Sequence, residues 1–540
     1  MSGRGYGREA ERCSGCGRDE GALREGLCLD CWYSSPDRPK PIRDRYAKLT
    51  RLREIGIEPF AYSFEPSHSL ADARRAYEEA EQGEALEELA PVRVSGRILS
   101  FRDLGGSAFA HLGDREGRLQ VHFRRDVLGA VGVELLGLLD LGDWIGVEGR
   151  LFCTRSGEVT VRAEGVTLLS KSLRPLPFGK EEVDQAGKRI VHGGFSNVEA
   201  RYRQRYADLA VNPDIRRLFE TRSRVVSSLR SFLDTRGFLE VETPVLQPLY
   251  GGAFAQPFTT HHNALDRTLY LRVADELYLK RLIVGNLERV YEIGKDFRNE
   301  GIDRTHNPEF TMLELYAAFA DYEAMMSLSE QMVAHVVEEV CGRTVLEYEG
   351  SRLDFSAPWA RLSYVTALRE HAGVDPTTAS DATLRERVRE TGRADGEELP
   401  RTRLLDALFS SLVEPELTSP TIVFDFPVEM SPLAKPKRGN PALAERFEVV
   451  VAGSELINAF SELNDPLDQW TRFAAQSRQR AAGDLEAQPL DEDYIRALEY
   501  GLPPTGGLGL GVDRLVMLVT GQTAIREVIL YPILRSEEGL

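Results

Sequence analysis

The spacing of apolar residues predicts two helices near the start of the chain. Between residues 42 and 55 they recur every three or four positions, the period of an amphipathic helix ending near Gly56 and Pro59, at Ile42, Tyr46, Leu49, Leu52 and Ile55. A second, highly charged helix is predicted roughly over residues 70–89. The stretch SSPDRPKP, residues 34–41, is rich in proline and charge and is typical of a linker.

From Val92 the apolar period shortens to two, which predicts β-strands. Five alternating segments separated by glycine and aspartate follow, and they are VRVSGRILSF, SAFAHLGD, RLQVHFRR, DWIGVEGRLFC and EVTVRAEGVTLL. This pattern is typical of a small closed barrel such as the OB-fold, which binds single-stranded nucleic acid on aromatic platforms. Phe109 and His111 share one face of their strand, and Phe123 lies on a nearby strand. For any one of them, packing inside the barrel is the commoner role.

From about residue 212 the pattern is mixed. A long helix is predicted to break at Gly237, a strand to stop at Pro244, and the last helix to start near Val512. Strand-like segments between them are LYLRV, RVYEIGKDF, EFTMLELYAAF, TIVFDFPV, RFEVVVAG and ELINAFSE. Because helices and strands do not alternate regularly, we expect an antiparallel sheet flanked by helices, and an α+β multidomain protein as a whole. No P-loop motif and no Rossmann fingerprint occur.

Composition narrows the class of protein. The 540 residues are enough for several domains, and 42% hydrophobic with 28% charged residues is typical of soluble globular proteins. Because no apolar run could span a bilayer and no secretory signal occurs, we expect a cytoplasmic protein with no membrane partner. The net charge of −18 argues against nucleic-acid binding over the whole surface. Seven basic residues and one acid over residues 38–53 form a basic patch, which is either a solvated helix face or an RNA-binding surface.

Four of the six cysteines form two CxxC pairs near the N-terminus, and they are Cys13, Cys16, Cys28 and Cys31. Paired knuckles of this kind are typical of a four-cysteine zinc site, although the gap between them is shorter than usual. The alternatives are disulfides, which a cytosolic protein disfavours, and a segment without metal. The other two, Cys153 and Cys341, lie in apolar settings typical of small buried residues.

The stretch FRNEGIDRTHNPEF, residues 297–310, concentrates charges between two phenylalanines. A solvated surface hairpin would account for it. Alternatively, Arg298 and Glu300 face the same way if the strand extends to them, and Arg304 and His306 sit at the hairpin tip. An arginine for a phosphate, a glutamate as hydrogen-bond acceptor and Phe310 for a base suit a nucleotide bound without a P-loop.

Two downstream stretches add candidate chemistry. RFEVVVAGSELINAFSE carries three glutamates at seven-residue spacing, Glu448, Glu455 and Glu462, and carboxylates beside a triphosphate require a metal such as Mg²⁺. The spacing by itself does not place them on one face. GLGLGVDRL is a glycine-rich segment leading into a helix, with Arg514 in the first helical turn.

These segments resemble a known family. GFLEVETPVL, FRNEGIDRTHNPEFTMLELY and GLGLGVDRLVML resemble motifs 1, 2 and 3 of the class II aminoacyl-tRNA synthetases. GGAFAQPFTTHHNALDRTLYLRVADELYLKRLIVG, SPLAKPKRGNP and SELNDPLDQ resemble the lysyl-tRNA synthetases of that class. The resemblance extends from about Tyr46 to the C-terminus. It implies ATP-dependent ligation of L-lysine to tRNA(Lys) through a lysyl-adenylate, and a homodimer formed through motif 1.

The resemblance implies the residues of an ATP site. Arg298 would hold the α-phosphate and the lysine carboxylate, and with Arg514 it would carry the catalysis. Glu300 and Phe310 would bind the adenine, whose other face Arg514 would cover, and His306 would reach the distal phosphates. The residues that resemble the Mg²⁺ ligands are Glu448 and Glu455.

The resemblance also implies a lysine site. A buried ammonium needs a carboxylate partner, and Glu462 with Tyr316 is our choice for the ε-ammonium, with Glu276 for the α-amino group. The other positions that match the family's amino-acid site, besides Arg298, are Gly252, Asn458, Phe460 and Gly509. Tyr316, Phe460 and the two glycines are also compatible with purely structural roles.

In the barrel, the resemblance implies that Phe109 stacks on the anticodon and that Gln120 and Glu158 read base edges.

Two features depart from the family. Gln256 stands where an arginine is usual, which puts one electrostatic contact near the lysine site in doubt, and the four-cysteine leader lies outside the resemblance.

We therefore expect four parts: a zinc-binding leader (1–35), a linker with helices (36–90), an OB-fold anticodon-binding domain (91–172) and a class II catalytic domain (190–540). Two rival functions are a lysyl transferase with a protein or lipid acceptor, and an inactive paralogue that acts as an RNA-binding regulator. The barrel and the lack of membrane spans disfavour the first, and the complete set of charged site residues disfavours the second.

Overall fold

The computed structural model describes residues 11–16, 19–20, 27–183, 189–192, 194–393, 399–481 and 488–535. The chain divides into two compact units. The N-terminal unit comprises Met1–Arg201 with Tyr206–Pro213, and the C-terminal unit comprises Tyr202–Arg205 with Asp214–Leu540. In the part of the chain that the structure describes, no helix is long and apolar enough to cross a membrane.

The N-terminal unit begins with short elements and two longer helices, which are β1 (Glu11–Arg12), β2 (Asp19–Glu20), α1 (Leu29–Ser34), α2 (Lys40–Glu54) and α3 (Leu70–Gln82). The two predicted helices are α2 and α3. Helix α2 ends where the pattern predicts, whereas α3 ends seven residues earlier than predicted because Gly83 caps it, and a separate 3₁₀ turn, Leu86–Glu88, follows.

The basic patch is partly used inside this unit. Arg45 is buried and donates hydrogen bonds of 2.8 Å to the carbonyls of Leu141 and Ser172. Lys48 pairs with Asp140 at 2.7 Å, and Arg51 pairs with Glu134 at 2.6 Å. Three of the seven basic side chains therefore attach α2 to the barrel.

The barrel is closed by five strands, which are β3 (Val92–Asp103), β4 (Ser107–Gly113), β5 (Arg118–Arg124), β6 (Trp144–Cys153) and β7 (Val159–Ser170), in the order β3-β4-β5-β7-β6. Buried and exposed positions alternate along β4 and β5, as the apolar period predicts. Helix α4 (Arg125–Leu138) connects β5 to β6, and strand alternation did not predict it. After the barrel, the chain continues with β8 (Lys180–Val183), β9 (Arg189–His192), α5 (Val198–Arg203) and α6 (Arg205–Val211).

The strands of the C-terminal unit are β10 (Leu239–Glu240), β11 (Leu246–Gln247), β12 (Thr259–His262), β13 (Arg267–Leu271), β14 (Arg289–Phe297), β15 (Glu309–Ala318), β16 (Val345–Tyr348), β17 (Ser351–Asp354), β18 (Ala360–Ser363), β19 (Thr421–Phe424), β20 (Pro436–Lys437), β21 (Asn440–Ala444), β22 (Arg446–Val451), β23 (Ser454–Ser461) and β24 (Thr505–Gly511). Its helices are α7 (Pro213–Asp234), α8 (Glu276–Val284), α9 (Tyr322–Cys341), α10 (Tyr364–His371), α11 (Asp381–Glu390), α12 (Arg401–Leu412), α13 (Pro466–Ala481), α14 (Glu492–Glu499), α15 (Val512–Thr520) and α16 (Ile525–Val528).

Eight of these strands form one sheet, in the order β10-β14-β15-β24-β23-β22-β19-β18. Its interior is antiparallel, as predicted, but both edge pairs are parallel, so the sheet is mixed. The strand predicted to stop at Pro244 is only Leu239–Glu240. Helices α7, α9 and α15 pack with the sheet in one apolar core, which leaves the central strands β15, β23 and β24 to present polar side chains on the other side.

Candidate active site

The charged loop between β14 and β15 begins where the pattern predicts. Strand β14 covers the predicted segment RVYEIGKDF and ends at Phe297, so Arg298 and Glu300 lie in the loop and do not share a strand face. The loop is closed by a 2.9 Å hydrogen bond from the Arg298 amide to the Pro308 carbonyl. The Arg298 guanidinium lies over the Phe310 ring, 5.1 Å from its centroid, whereas Glu300 is exposed.

The tip of this loop meets helix α15. Asp303 accepts a 2.7 Å hydrogen bond from the His306 amide and pairs with its Nδ1 at 2.8 Å. The other ring nitrogen, Nε2, is 3.4 Å from Arg514 Nη2, and Arg514 also donates to the Glu455 carbonyl. The residues proposed from motifs 2 and 3 are therefore brought together from positions about 200 residues apart in sequence.

Glu448 on β22 and Glu455 on β23 lie beside this cluster in an acidic environment. Glu448 is buried and pairs with Arg446. Burial raises the pKa of Glu448 to about 8, and the nearby Glu455 and Glu414 carboxylates add to this rise. The Arg446 charge acts in the opposite direction and lowers the pKa. Burial and Glu455 likewise raise the pKa of Glu414 to about 7. Several carboxylates with one neighbouring arginine fit a divalent cation, which would compensate their charge.

A second acidic pocket lies between α8 and the central strands. Glu276 and Glu462 are 5% and 1% exposed, and both form ion pairs with Lys280, which is fully buried. The aromatic rings of Tyr316 and Phe460 are 5.8 Å and 5.3 Å from the Lys280 ammonium. Sequence reasoning missed Lys280, although its spacing of four from Glu276 puts both on one helix face.

Glu314 is another pocket residue that sequence reasoning missed. It accepts a 2.7 Å hydrogen bond from the Tyr316 hydroxyl. Burial, with Glu276 and Asp296 nearby, raises the pKa of Glu314 to about 8. The signal was present, because residues two apart on a strand share a face.

Glycines make room for these carboxylates. A Cβ on Gly507 would lie 2.0 Å from Glu462 Oε1 and 2.5 Å from the Tyr316 ring. Gly252 has a φ of +92°, and a Cβ there would lie 2.9 Å from Ala274 and 3.2 Å from Glu276. Gly252 therefore cannot carry a side chain without strain. Gly507, which sequence reasoning missed, leaves no room for one.

The remaining predicted residues border the same pocket. Asn458 pairs with Gly509 across β23 and β24, and its side chain accepts a 3.2 Å hydrogen bond from Arg446. A Cβ on Gly509 would lie 3.8 Å from Glu314. The Gln256 carbonyl accepts a 2.8 Å hydrogen bond from the Asn299 amide, which puts this departure from the family beside the charged loop.

The barrel brings the three predicted anticodon residues to one outer face. Ala108 and Ala110 point into the barrel, so Phe109 points outward, where it stacks on His122 at 4.4 Å and 11°. Gln120 donates a 2.7 Å hydrogen bond to Glu158. Phe123, in contrast, is fully buried in the barrel core. The core alternative therefore holds for Phe123 and not for Phe109.

Comparison with known proteins agrees with this geometry. Residues 197–535 match the family model described as tRNA synthetases class II (D, K and N), and residues 92–169 match the OB-fold nucleic acid binding domain. The lysine–tRNA ligase of Moorella thermoacetica is 51% identical over 497 residues, which cover 92% of this chain and 97% of that protein. The chain belongs to the class II lysyl-tRNA synthetases. The lysine–tRNA ligases of Pelotomaculum thermopropionicum and Carboxydothermus hydrogenoformans are 49% and 47% identical to this chain. The aligned regions cover 92% of this chain in both cases, and 95% and 98% of the two relatives.

Membership of the class II lysyl-tRNA synthetases confirms the predicted fold class, with an OB-fold and a class II synthetase domain in one α+β chain. It implies a tRNA, ATP and an amino acid as partners, and class II synthetases generally use Mg²⁺. Neither family model covers residues 1–91, which include the four-cysteine leader.

Proposed function

We propose that this protein ligates L-lysine to tRNA(Lys) through a lysyl-adenylate, in agreement with the names of its relatives. The observation that carries the proposal is the acidic pocket around Glu462 beside the class II loop. Three buried carboxylates, Glu276, Glu314 and Glu462, suit an amino acid that brings two ammonium groups. An ammonium deep in a pocket would otherwise lose several kcal/mol of hydration without compensation.

The proposed first step needs positioning more than acid–base chemistry. A lysine carboxylate oxygen attacks the α-phosphorus of ATP, the bond to the bridging oxygen breaks, and pyrophosphate leaves. The carboxylate is already ionised, so no general base is required. Arg298 would neutralise the α-phosphate, Phe310 and Glu300 would hold the adenine against Arg514, and His306 would reach the distal phosphates. Alignment and charge compensation then account for the rate.

Glu448 and Glu455 are proposed to hold Mg²⁺, which supplies positive charge to the triphosphate and its leaving group. Burial, with the Glu455 and Glu414 carboxylates nearby, raises the pKa of Glu448, and a bound cation would favour its ionised form, which supports this assignment. In the lysine site, Glu462 would pair with the ε-ammonium beside Tyr316, and Glu276 would serve the α-amino group. The lining positions are proposed to be Gly252, Asn458, Phe460 and Gly509.

Pyrophosphate exchange tests the proposal directly. The purified enzyme should exchange labelled pyrophosphate into ATP when lysine is supplied, and not with other amino acids at equal concentration. An inactive RNA-binding paralogue would show no exchange with any amino acid. Such a paralogue would not need the charged groups of the ATP site. This chain retains all four of them, which are Arg298, Glu448, Glu455 and Arg514. Charging of tRNA(Lys) in the second step would distinguish a tRNA acceptor from a protein or lipid acceptor.

Phe109→Ala should weaken tRNA charging and leave lysine-dependent pyrophosphate exchange unchanged. Stacking of a base on an aromatic ring contributes ~1–3 kcal/mol, about a five- to 150-fold rise in the KM for tRNA. Phe123→Ala provides the contrast, because it empties the barrel core at a cost of ~3–5 kcal/mol. It should lower the melting temperature, whereas Phe109→Ala should not. An equal loss in both assays would show that Phe109 is structural.

We propose a homodimer built on the motif 1 segment. Several large apolar side chains in this segment and just after it are exposed, at 51% for Leu239, 39% for Val245, 47% for Leu246 and 41% for Leu249. Contiguous exposed apolar residues are typical of an obligate interface. Light scattering at micromolar concentration should give a mass near two chains, and a mass near one chain would refute the proposal.

We propose that the leader cysteines, Cys13, Cys16, Cys28 and Cys31, bind one Zn²⁺. Their Sγ atoms all lie within 4.8 Å of one another, and those of Cys16 and Cys28 are 3.7 Å apart. That distance suits two ligands of one tetrahedral zinc, with Zn–S bonds of ~2.3 Å, and not a disulfide of ~2.05 Å. Hydrogen bonding from the Cys28 amide lowers the pKa of Cys13 to about 6, whereas hydrogen bonds with Cys28 and Cys16 raise the pKa of Cys31 to about 12. The crowded thiols therefore retain protons that one bound Zn²⁺ would displace.

The leader is proposed to support tRNA binding next to the barrel. The aromatic cluster after the cysteines packs on helix α2: Arg38 lies 3.8 Å over the Trp32 ring, and Tyr33 stacks on Tyr46 at 4.9 Å. Three of the seven patch residues hold α2, and Arg38 packs on Trp32, so the proposed phosphate contacts are Lys40, Arg43 and Arg53.

Elemental analysis should find about one zinc per chain in protein purified without chelator, and Cys28→Ser should lose it. Deleting residues 1–35 should leave pyrophosphate exchange intact and raise the KM for tRNA, most strongly at higher salt, where the remaining phosphate contacts are screened. Absence of zinc would refute the metal site. An unchanged KM for tRNA across salt concentrations would refute the RNA role.

The four-part organisation, with parts at 1–35, 36–90, 91–172 and 190–540, is likewise proposed for this chain. It is supported by the matched ranges 92–169 and 197–535.

ATP and tRNA are found together in the cytoplasm, which supports placing the enzyme there.

A further inference from the structure

The amino-acid pocket contains a lysine of the chain itself. Lys280 lies on α8, its side chain is 0% exposed, and its ammonium forms ion pairs with Glu276 Oε1 and Glu462 Oε2. The two carboxylates come from different elements, the start of α8 and the residue after β23. One buried cation therefore bridges the two carboxylates proposed to receive the α-amino group and the ε-ammonium of the substrate.

Lys280 could have one of two effects on this pocket. It could compete with the substrate for the carboxylates and have to leave, or it could stay and direct them. The oxygens that do not contact Lys280 favour the second. In the described part of the chain, Glu462 Oε1 has no hydrogen-bond partner, and it faces Gly507. Glu276 Oε2 faces Gly252. Each carboxylate thus has one oxygen on Lys280 and the other beside a glycine that leaves room for it.

Other groups around the ammonium strengthen this arrangement. The Phe460 and Tyr316 rings lie 5.3 Å and 5.8 Å from it, and such rings attract a cation. The titratable and charged groups that face the Glu276–Lys280–Glu462 bridge are Glu314 and Tyr316 from β15, Tyr494 from α14 and Arg446 from β22. Arg446, the other cation among these groups, forms its ion pair with Glu448, whereas Lys280 forms ion pairs with both Glu276 and Glu462.

We propose that Lys280 is a positioning and specificity-determining residue, a fixed counter-ion that keeps Glu276 and Glu462 ionised and aims their free oxygens at the two ammonium groups of the substrate. The inference rests on the proposed function. It adds a residue that does not itself contact the reacting atoms but sets the charge and direction of the two that bind the substrate.

Removing Lys280 should cause one of the two carboxylates to bind a proton. Two buried carboxylates without their shared cation repel each other, so one of them is protonated at neutral pH. Lysine, which binds as an ammonium, must then displace that proton. Below the raised pKa of that carboxyl group, affinity for lysine should therefore increase up to tenfold per pH unit as the pH rises.

Lys280→Met tests the proposal, because it removes the charge of Lys280 and keeps an unbranched side chain. Lys280→Gln is a second variant, which keeps a hydrogen-bond donor for the two carboxylates without the charge. Lys171→Met is the matched control, because Lys171 is also 0% exposed and pairs with two carboxylates, Asp140 and Asp143, in the barrel unit. Two quantities are measured from pH 6.5 to 9: the KM for lysine in pyrophosphate exchange, and the protons released on lysine binding, by calorimetry in two buffers.

Both Lys280 variants should show a KM for lysine at least tenfold above that of the unmodified enzyme at pH 7, approaching it at pH 9. Proton release per lysine bound should increase toward one, and the KM for ATP should change little. Lys171→Met should lose thermal stability without altering the pH profile of lysine binding. An unchanged profile and proton count in folded Lys280 variants would overturn the proposal, as would a lower KM for lysine, which would mean competition. If the unmodified enzyme itself shows no exchange, the proposed function fails instead.

Discussion

Glu462→Gln should raise the KM for lysine in pyrophosphate exchange by about two to three orders of magnitude while leaving the KM for ATP nearly unchanged. Glu462 is 1% exposed and carries one of the two carboxylates of the pocket that pair with Lys280. Removing one charge from a buried ion pair leaves the other uncompensated, at ~3–5 kcal/mol, and each 1.4 kcal/mol is about a tenfold change in affinity. Because glutamine has nearly the same shape as glutamate, the loss reports charge and not volume.

Glu330→Gln is a suitable control for Glu462→Gln. Glu330 is also a buried carboxylate, 8% exposed, and it accepts a 3.0 Å hydrogen bond from the Trp359 amide on the apolar side of the sheet. Its replacement should lower the melting temperature and leave the lysine dependence alone. If Glu462→Gln keeps the lysine dependence of the unmodified enzyme, the assignment of the ammonium site is wrong.

Gly507→Ala should reduce kcat/KM for lysine by about a hundredfold or more. The added Cβ would lie 2.0 Å from Glu462 Oε1 and 2.5 Å from the Tyr316 ring, and both groups are buried and cannot move freely. A displacement of ~1 Å at a binding group costs about a hundredfold in rate. The measurement is pyrophosphate exchange with lysine and ATP varied separately, and the effect should fall on lysine.

Gly509→Ala, two residues along β24, gives the graded comparison. There the added Cβ would meet nothing closer than the flexible end of Met312 at 3.2 Å, so the loss should be clearly smaller. Equal losses in the two variants would show that strand β24 tolerates no side chain in general, and the specific contact of Gly507 with Glu462 would lose its support.

Several elements were predictable because the decisive forces are local. The apolar period of α2 and the alternation in β4 and β5 follow from which side chains each element buries. The end of α3 was predictable in principle, since Gly83 is a helix terminator. Helix α4 was not, because its apolar residues follow β5 directly and resemble a strand continuation.

The sheet was predicted only in its interior. Antiparallel neighbours that follow one another along the chain, such as β14 and β15, are joined by a short loop that the sequence marks with glycine and proline. The edge pair β18 and β19 is parallel, and 57 residues separate Ser363 from Thr421. No local pattern records such a pairing, since it depends on how the helices that connect the two strands pack.

The sequence by itself determined the family, the barrel, and the residue types of both sites, because motif residues and strand alternation are local properties. Only the tertiary structure decided which groups meet. It joined His306 to Arg514, gave the Tyr316 hydroxyl to Glu314, turned Phe109 outward and put Lys280 between Glu276 and Glu462. The physical reason is that these contacts join separate elements, so they depend on how the strands and helices pack and on the burial that packing imposes on charge.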